Sequence, residues 1–317
     1  MQIKKIQTGK FTAKNNVFLA PMAGYTDFAF RGICASLNAG ATYTELVSAK
    51  GIVYGGENTV KLLTVSKKEN NCVAQIFGSE PDVVYQALTG EDLAPFDVVD
   101  INMGCPVPKV FKNGEGSALL TDIRKAEAVV KSAVKSGKTI TAKIRIGLKD
   151  SEPFVTEDYA KMLEDAGAKL ITIHGRTRER YYSGEVNFSE IEKAKKAVNI
   201  PIIANGGIFT EMDADLIMDR TGADGIMLAR GAIADPFLFS KLTGIEPKIT
   251  LRNLIFTQIE DMLTEFSDRY TTLNMRKFFV YYFKGRRNMR ELNKMLYACE
   301  NTDELKKCLD ENLSMVL

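Results

Sequence analysis

Eight short runs rich in β-branched and apolar residues recur at 17–20, 43–47, 72–76, 98–102, 140–144, 170–174, 201–205 and 225–228. Between them lie segments with helical periodicity, each ending in a polar or glycine-containing turn. Asp122, for example, can cap a helix that carries Ala126, Val129, Val130 and Val134 on one face and closes at Gly137. Strands that alternate with helices pair in parallel, and eight of them predict a (β/α)8 TIM barrel. The barrel is expected over residues 1–243. The strand pattern stops after Pro236, and Gly244-Ile245-Glu246-Pro247 reads as a linker. From 250 to 317 the chain reads as a small all-helical domain, with Leu251, Leu254, Ile255, Ile259, Met262, Leu263 and Phe266 in one apolar stripe.

Composition narrows the function classes by exclusion. No stretch is apolar over the roughly 18 residues that a membrane span needs, and the N-terminus runs from Lys4-Lys5 into Thr8-Gly9-Lys10 instead of an apolar export core, so neither a membrane protein nor an exported one is expected. The five cysteines, Cys34, Cys72, Cys105, Cys299 and Cys308, form no C-x-x-C pair, and His174 is the single histidine. Neither a disulfide framework nor a structural metal is expected, and the compartment reads as a reducing cytoplasm. A net charge of +2 announces no nucleic-acid partner, so any such partner must meet a local basic patch.

Catalytic groups of such a barrel stand where the strands end in their C-terminal loops. Strand one ends in Pro21-Met22-Ala23-Gly24, strand three carries Gln75, and strand four ends in Asn102-Met103-Gly104-Cys105-Pro106. Lys143 and Arg145, His174 and Arg176, Asn205-Gly206-Gly207, and Ala229-Arg230-Gly231 follow on strands five to eight. Gly206 and Gly207 beside Arg230 read as a phosphate site, against the alternative of a plain tight turn. Lys143, among apolar neighbours, needs either an anionic ligand or a buried carboxylate such as Asp100. His174 can bind phosphate, meet a ligand's edge, act as an acid or serve the scaffold. Cys105 lies on the longest strand-to-helix segment, in a Gly-Cys-Pro turn that argues for exposure over an inert place in the core.

Taken together, Pro21-Met22-Ala23-Gly24-Tyr25-Thr26-Asp27, Phe30-Arg31, Glu45-Leu46-Val47-Ser48-Ala49-Lys50, Asn102-Met103-Gly104-Cys105-Pro106-Val107-Pro108-Lys109, His174-Gly175-Arg176-Thr177-Arg178 and Tyr182-Ser183-Gly184 resemble the tRNA-dihydrouridine synthases in order along the chain. The resemblance implies an FMN enzyme that takes electrons from NADPH and reduces the C5=C6 bond of uridines in tRNA, with Cys105 as catalytic acid. It implies that Pro21, Met22, Ala23, Gln75, Lys143, His174, Asn205, Gly206, Gly207, Ala229 and Arg230 hold the FMN. Asn102, Arg145, Arg176 and Arg178 are expected to meet the substrate. In the helical tail, Arg276 and Lys277 with Arg286 and Arg287 set basic groups beside aromatic ones, and the resemblance assigns them to RNA rather than to a merely solvated face. A monomer is expected. Two positions depart from the family pattern: Ala229 precedes Arg230 where glycine is usual, and Asn187-Phe188 replaces an acidic-Trp pair.

Two other readings compete. A dihydroorotate dehydrogenase also carries an Asn…Cys-Pro loop, but Val107 stands where such an enzyme would place an asparagine, and the helical tail has no counterpart there. A non-catalytic RNA chaperone on the same barrel would have no use for Cys105, Lys143 and Arg230 together.

Overall fold

In the computed structural model, which describes residues 1–316, parallel pairing runs around a closed ring of eight strands. These are β1 (Val17–Leu19), β2 (Thr42–Ser48), β3 (Cys72–Phe77), β4 (Val98–Met103), β5 (Thr139–Arg145), β6 (Ile171–His174), β7 (Ile202–Asn205) and β8 (Gly225–Leu228). β8 returns to β1 with Ile226 opposite Val17 and Leu228 opposite Leu19. Closure between β1 and β2 comes from a parallel bridge of Phe18 to Ala41, flanked by Leu19 N–H donating to the Ala41 carbonyl at 2.9 Å. Each of the eight runs is a barrel strand. The fold is a TIM barrel with helices outside and a helical C-terminal segment.

A period of two sorts every strand into an inner and an outer face. Val99, Ile101 and Met103 of β4, Ile140, Ala142 and Ile144 of β5, and Ile171 and Ile173 of β6 face the helices. Their neighbours face inward and change character along the strand: Val98, Asp100, Asn102 on β4; Thr139, Thr141, Lys143, Arg145 on β5; Leu170 just before β6, then Thr172 and His174 on it. The barrel is thus apolar at its base and polar at its C-terminal mouth. A two-stranded hairpin, Ile6–Thr8 with Phe11–Ala13, packs Ile6, Phe11 and Ala13 into the base, with Phe11 edge-on to Phe18 at 5.6 Å.

The helix Ile123–Val134 starts at Asp122, whose carboxylate accepts from the N–H groups of Arg124 and Lys125, and Gly137 follows it with a positive φ of 79°. The tail forms Leu251–Leu263, Asp268–Tyr282, Met289–Ala298 and Thr302–Asn312; its last residue, Leu317, lies outside the described residues. Leu254, Ile255, Ile259 and Met262 of the expected stripe are buried. Phe266 meets Phe28 at 5.8 Å and Phe278 meets Phe30 at 5.3 Å, so the apolar core continues from the barrel into the tail across the linker. No helix among the described residues is long and apolar enough to cross a membrane.

Arg31, fully buried in the first barrel helix (Phe28–Ser36), holds the base of the β1 loop. Its guanidinium donates to Glu69 at 2.9 and 3.3 Å, to the Thr26 carbonyl at 2.7 Å and to the Thr64 carbonyl at 2.5 Å. Glu69 also accepts from Ser66 N–H at 2.9 Å. Removing one side of a buried, hydrogen-bonded pair leaves the other charge uncompensated. Arg31→Met is therefore expected to lower the unfolding free energy by about 3–5 kcal/mol, read from urea denaturation.

Candidate active site

A cleft of about 400 Å³ opens at the C-terminal end of the strands. All of the residues expected to hold a cofactor line it: Pro21, Met22, Ala23, Gln75, Lys143, His174, Asn205, Gly206, Gly207, Ala229 and Arg230. So do Cys105, Asn102, Arg145 and Arg176. Four cationic side chains, Lys143, Arg145, Arg176 and Arg230, border the cleft, and no carboxylate does among the described residues. Such a mouth favours an anionic ligand.

Cys105 is only 9% exposed, so the expectation of an exposed thiol is corrected. Its loop folds back on itself: the Cys105 carbonyl accepts from the Ser117 hydroxyl at 2.7 Å, and Gly116, at φ +60°, packs so closely that an added Cβ would sit 3.0 Å from that of Cys105. The thiol nevertheless borders the cleft. Burial pushes its pKa up, against the opposing pull of the Val107 N–H and the Arg145 charge. At neutral pH it is a protonated acid.

The turn around Cys105 hangs on side-chain amides. Asn102 Oδ1 accepts from the N–H groups of Gly104 at 3.1 Å and Cys105 at 2.9 Å, and its Nδ2 donates to Gln75 Oε1 at 2.8 Å. Gln75 Nε2 donates to Asp100 at 2.8 Å, and Thr141 donates to the other oxygen of Asp100 at 2.5 Å. Arg145 secures the opposite side, giving Nε to the Gly104 carbonyl at 2.8 Å and Nη1 to the carbonyls of Thr177 and Tyr181, each at 2.9 Å.

Lys143 donates to Asn205 Oδ1 at 3.0 Å, and Asn205 Nδ2 donates to the Met227 carbonyl at 2.7 Å. No carboxylate pairs with Lys143 among the described residues; Asp100, the alternative read from the sequence, is engaged by Gln75 and Thr141. Desolvation first, then the Arg145 charge, lower the Lys143 pKa to about 7, while Asp100 pulls the other way. His174 is buried, and desolvation together with Arg145, Lys143, Arg176 and Arg230 holds it well below its usual range, so the ring is neutral. Gly206 and Gly207 take φ values of +119° and +74°, and a Cβ at Gly206 would lie 2.8 Å from the His174 ring. Glycine is needed there on both counts. Arg230 lies 4.9 Å over the Tyr182 ring and donates to the Tyr182 carbonyl at 3.2 Å.

The remaining expected substrate contacts lie outside the cleft. Arg178 stacks on Phe111 at 3.7 Å, which joins the loops after β6 and β4. Arg276 donates to the Cys299 carbonyl at 3.2 Å, inside the tail. Lys277 bonds the Gly24 carbonyl and sits 5.1 Å over Tyr25, while Glu45 accepts from Gly24 N–H, so the tail and β2 together clamp the β1 loop. Arg286 and Arg287 are exposed, Arg286 bonding the Val316 carbonyl at 3.2 Å. Sequence reasoning missed Tyr25, Tyr182 and Tyr281 as cleft residues. The first two stand inside quoted motifs; Tyr281 comes from the tail helix Asp268–Tyr282, where nothing in the local pattern marks it.

Comparison with known proteins places this geometry. The family model described as dihydrouridine synthase matches residues 18–316. The chain belongs to the dihydrouridine synthase family. It is accordingly a flavin-dependent oxidoreductase. It is 34% identical to the probable tRNA-dihydrouridine synthase 1 of Synechocystis sp. over 98% of this chain and 90% of that one. It is 35% identical to the probable tRNA-dihydrouridine synthase of Aquifex aeolicus over 94% and 96%, and 34% identical to tRNA-dihydrouridine synthase B of Pasteurella multocida over 88% and 87%. Among solved structures, histamine dehydrogenase from Rhizobium sp. 4-9 shares the fold with a TM-score of 0.59 at 17% identity, over 81% of this chain and 50% of that one. The old yellow enzyme homologue from Zymomonas mobilis does so with a TM-score of 0.56 at 15% identity, over 79% and 95%.

The lowered Lys143 pKa has a sign that can be tested in this family's cleft. Between about pH 7 and the ordinary lysine value of 10.5 the unfolded chain holds a proton there that the folded, flavin-free protein lacks, so stability rises with pH in that window. Lys143→Met is expected to flatten this rise, read as the thermal midpoint of flavin-free protein between pH 7 and 9.

Proposed function

We propose that the protein is an FMN-dependent tRNA-dihydrouridine synthase, driven by NADPH, that acts as a monomer in the cytoplasm with Cys105 as proton donor. The observation that carries this reading is a protonated thiol facing a cation-lined cleft in which Lys143 has no carboxylate partner among the described residues. The residues fit the cofactor. Lys143 would balance negative charge on the flavin, the backbone of Gly206 and Gly207 with Arg230 would take its phosphate, and Pro21, Met22, Ala23, Gln75, His174, Asn205 and Ala229 would complete the wall. Bound there, the flavin would supply a hydride, two electrons with their hydrogen, to C6 of the uracil C5=C6 bond.

What the chain itself does is acid catalysis and positioning. Cys105 Sγ gives its proton to C5, and the Val107 N–H and the Arg145 charge, which favour the thiolate, stabilise what remains. Neutral His174 offers a hydrogen bond without competing for the proton. Asn102 and Arg176 border the space left for the base, which must be turned out of the RNA at a cost of a few kcal/mol. Exposed Lys284, Arg286, Arg287 and Arg290 give the tail a basic edge for tRNA phosphates. Arg178, Arg276 and Lys277, occupied by protein partners, would act by holding that surface in shape.

Cys105→Ala is expected to retain FMN and be reduced by NADPH, yet to lose dihydrouridine formation by at least about a hundredfold. Anaerobic mixing of the reduced protein with unmodified tRNA or with orotate checks this; near-normal turnover of the variant, or reoxidation of the native protein by orotate alone, would refute the reading. Arg286→Glu with Arg287→Glu should weaken tRNA binding and reduce its salt dependence while NADPH oxidation stays intact, measured by filter binding at two ionic strengths.

A further inference from the structure

Asp100 lies inside the barrel, fully buried, and does not border the cleft. It nevertheless stands at the head of a chain of hydrogen bonds that ends on the backbone of Cys105. A carboxylate can only accept. Both of its oxygens are met by donors, Thr141 on Oδ1 and Gln75 Nε2 on Oδ2. The Gln75 amide therefore has one permitted sense, with Oε1 toward Asn102. Asn102 must then give Nδ2 to Gln75, which leaves Oδ1 for the N–H groups of Gly104 and Cys105. Reversing Gln75 would set its Oε1 against the Asp100 carboxylate and its Nε2 against Asn102 Nδ2; reversing Asn102 would set its Oδ1 against Gln75 Oε1 and its Nδ2 against the N–H groups of Gly104 and Cys105, from which nothing else among the described residues accepts. Burial lifts the Asp100 pKa to about 6, while the hydrogen bonds from Thr141 and Gln75, and then the Lys143 charge, favour its ionised form.

We propose that Asp100 is a positioning residue: its acceptor-only carboxylate fixes the sense of the Gln75 and Asn102 amides and through them the turn that carries Cys105. Gln75, expected from the sequence to serve the cofactor, then serves the acid loop as well. The effect on turnover rests on the proton-donor role proposed above for Cys105, but the effect on the loop does not, so the experiment reads both.

Asp100→Asn keeps the volume and can still pair with Gln75, but it no longer dictates which end of the amide faces it. In the flavin-loaded protein, amide hydrogen exchange of Gly104 and Cys105 is expected to quicken about tenfold in this variant, with the other barrel strands unchanged. The kcat for tRNA should fall by a similar factor with KM held. Thr141→Val removes the other donor to Asp100 but leaves the carboxylate facing Gln75, and should leave exchange at 104 and 105 within about twofold of native. Gln75→Leu cuts the chain at its next link and should reproduce the local loosening even if Asp100→Asn fails to fold. Unchanged exchange at Gly104 and Cys105 in folded Asp100→Asn or Gln75→Leu would overturn the proposal, as would equal loosening in Thr141→Val. Faster exchange without a fall in kcat would keep Asp100 as the anchor of the loop and count against Cys105 as the acid.

Discussion

Closure of the barrel is the constraint on which the rest depends. Once β8 pairs with β1 and Phe18 bridges to Ala41, every inward side chain is shut off from solvent except at the two ends, and each polar one must find its partner inside. The base is filled by the hairpin and Phe18. The middle holds Asp100 and Thr141, bonded to each other. The mouth, where Asn102, Lys143, His174 and Asn205 stand at or near the ends of their strands, offers polar groups to a ligand, and Gln75 below it reaches the cleft as well. Position along a strand therefore decides whether a polar residue supports or meets the reaction.

Desolvation gives that mouth its chemistry, in two senses. It keeps the Cys105 thiol protonated, and it makes the Lys143 ammonium poorly held until something anionic faces it. Both conditions suit the proposed role of Cys105 as acid and the proposed anionic cofactor. The absence of a carboxylate among the described lining residues matters as much as the presence of the cations, because a neighbouring acid would satisfy Lys143 without any ligand.

The helical tail is part of the site as well as an appendage beside it. Tyr281 borders the cleft, and Lys277 bonds the carbonyl of Gly24 while Glu45 holds its N–H. The loop that presents Pro21, Met22 and Ala23 is thus fixed from one side by the barrel and from the other by the tail. An apolar core continuous through Phe30 and Phe278 supports the same joint. RNA bound along the basic edge of the tail would share one packed body with the cleft.

The sequence by itself determined the eight strands, because a period of two and the turns that bound it are local properties of a few residues. It also placed the cleft residues that stand at the strand ends, because a parallel barrel gathers those ends at one mouth. Even Asn187, a departure from the family pattern, keeps a local role by capping the helix Phe188–Ala197. The tertiary structure alone decided the pairings. That Lys143 bonds Asn205 and not Asp100, that Asp100 instead orients Gln75, that Arg178 and Lys277 are spent on protein contacts, and that Tyr281 reaches the mouth all depend on distances between residues far apart in the chain. A hydrogen bond is settled within a few tenths of an ångström, and no pattern along one strand carries that information for another.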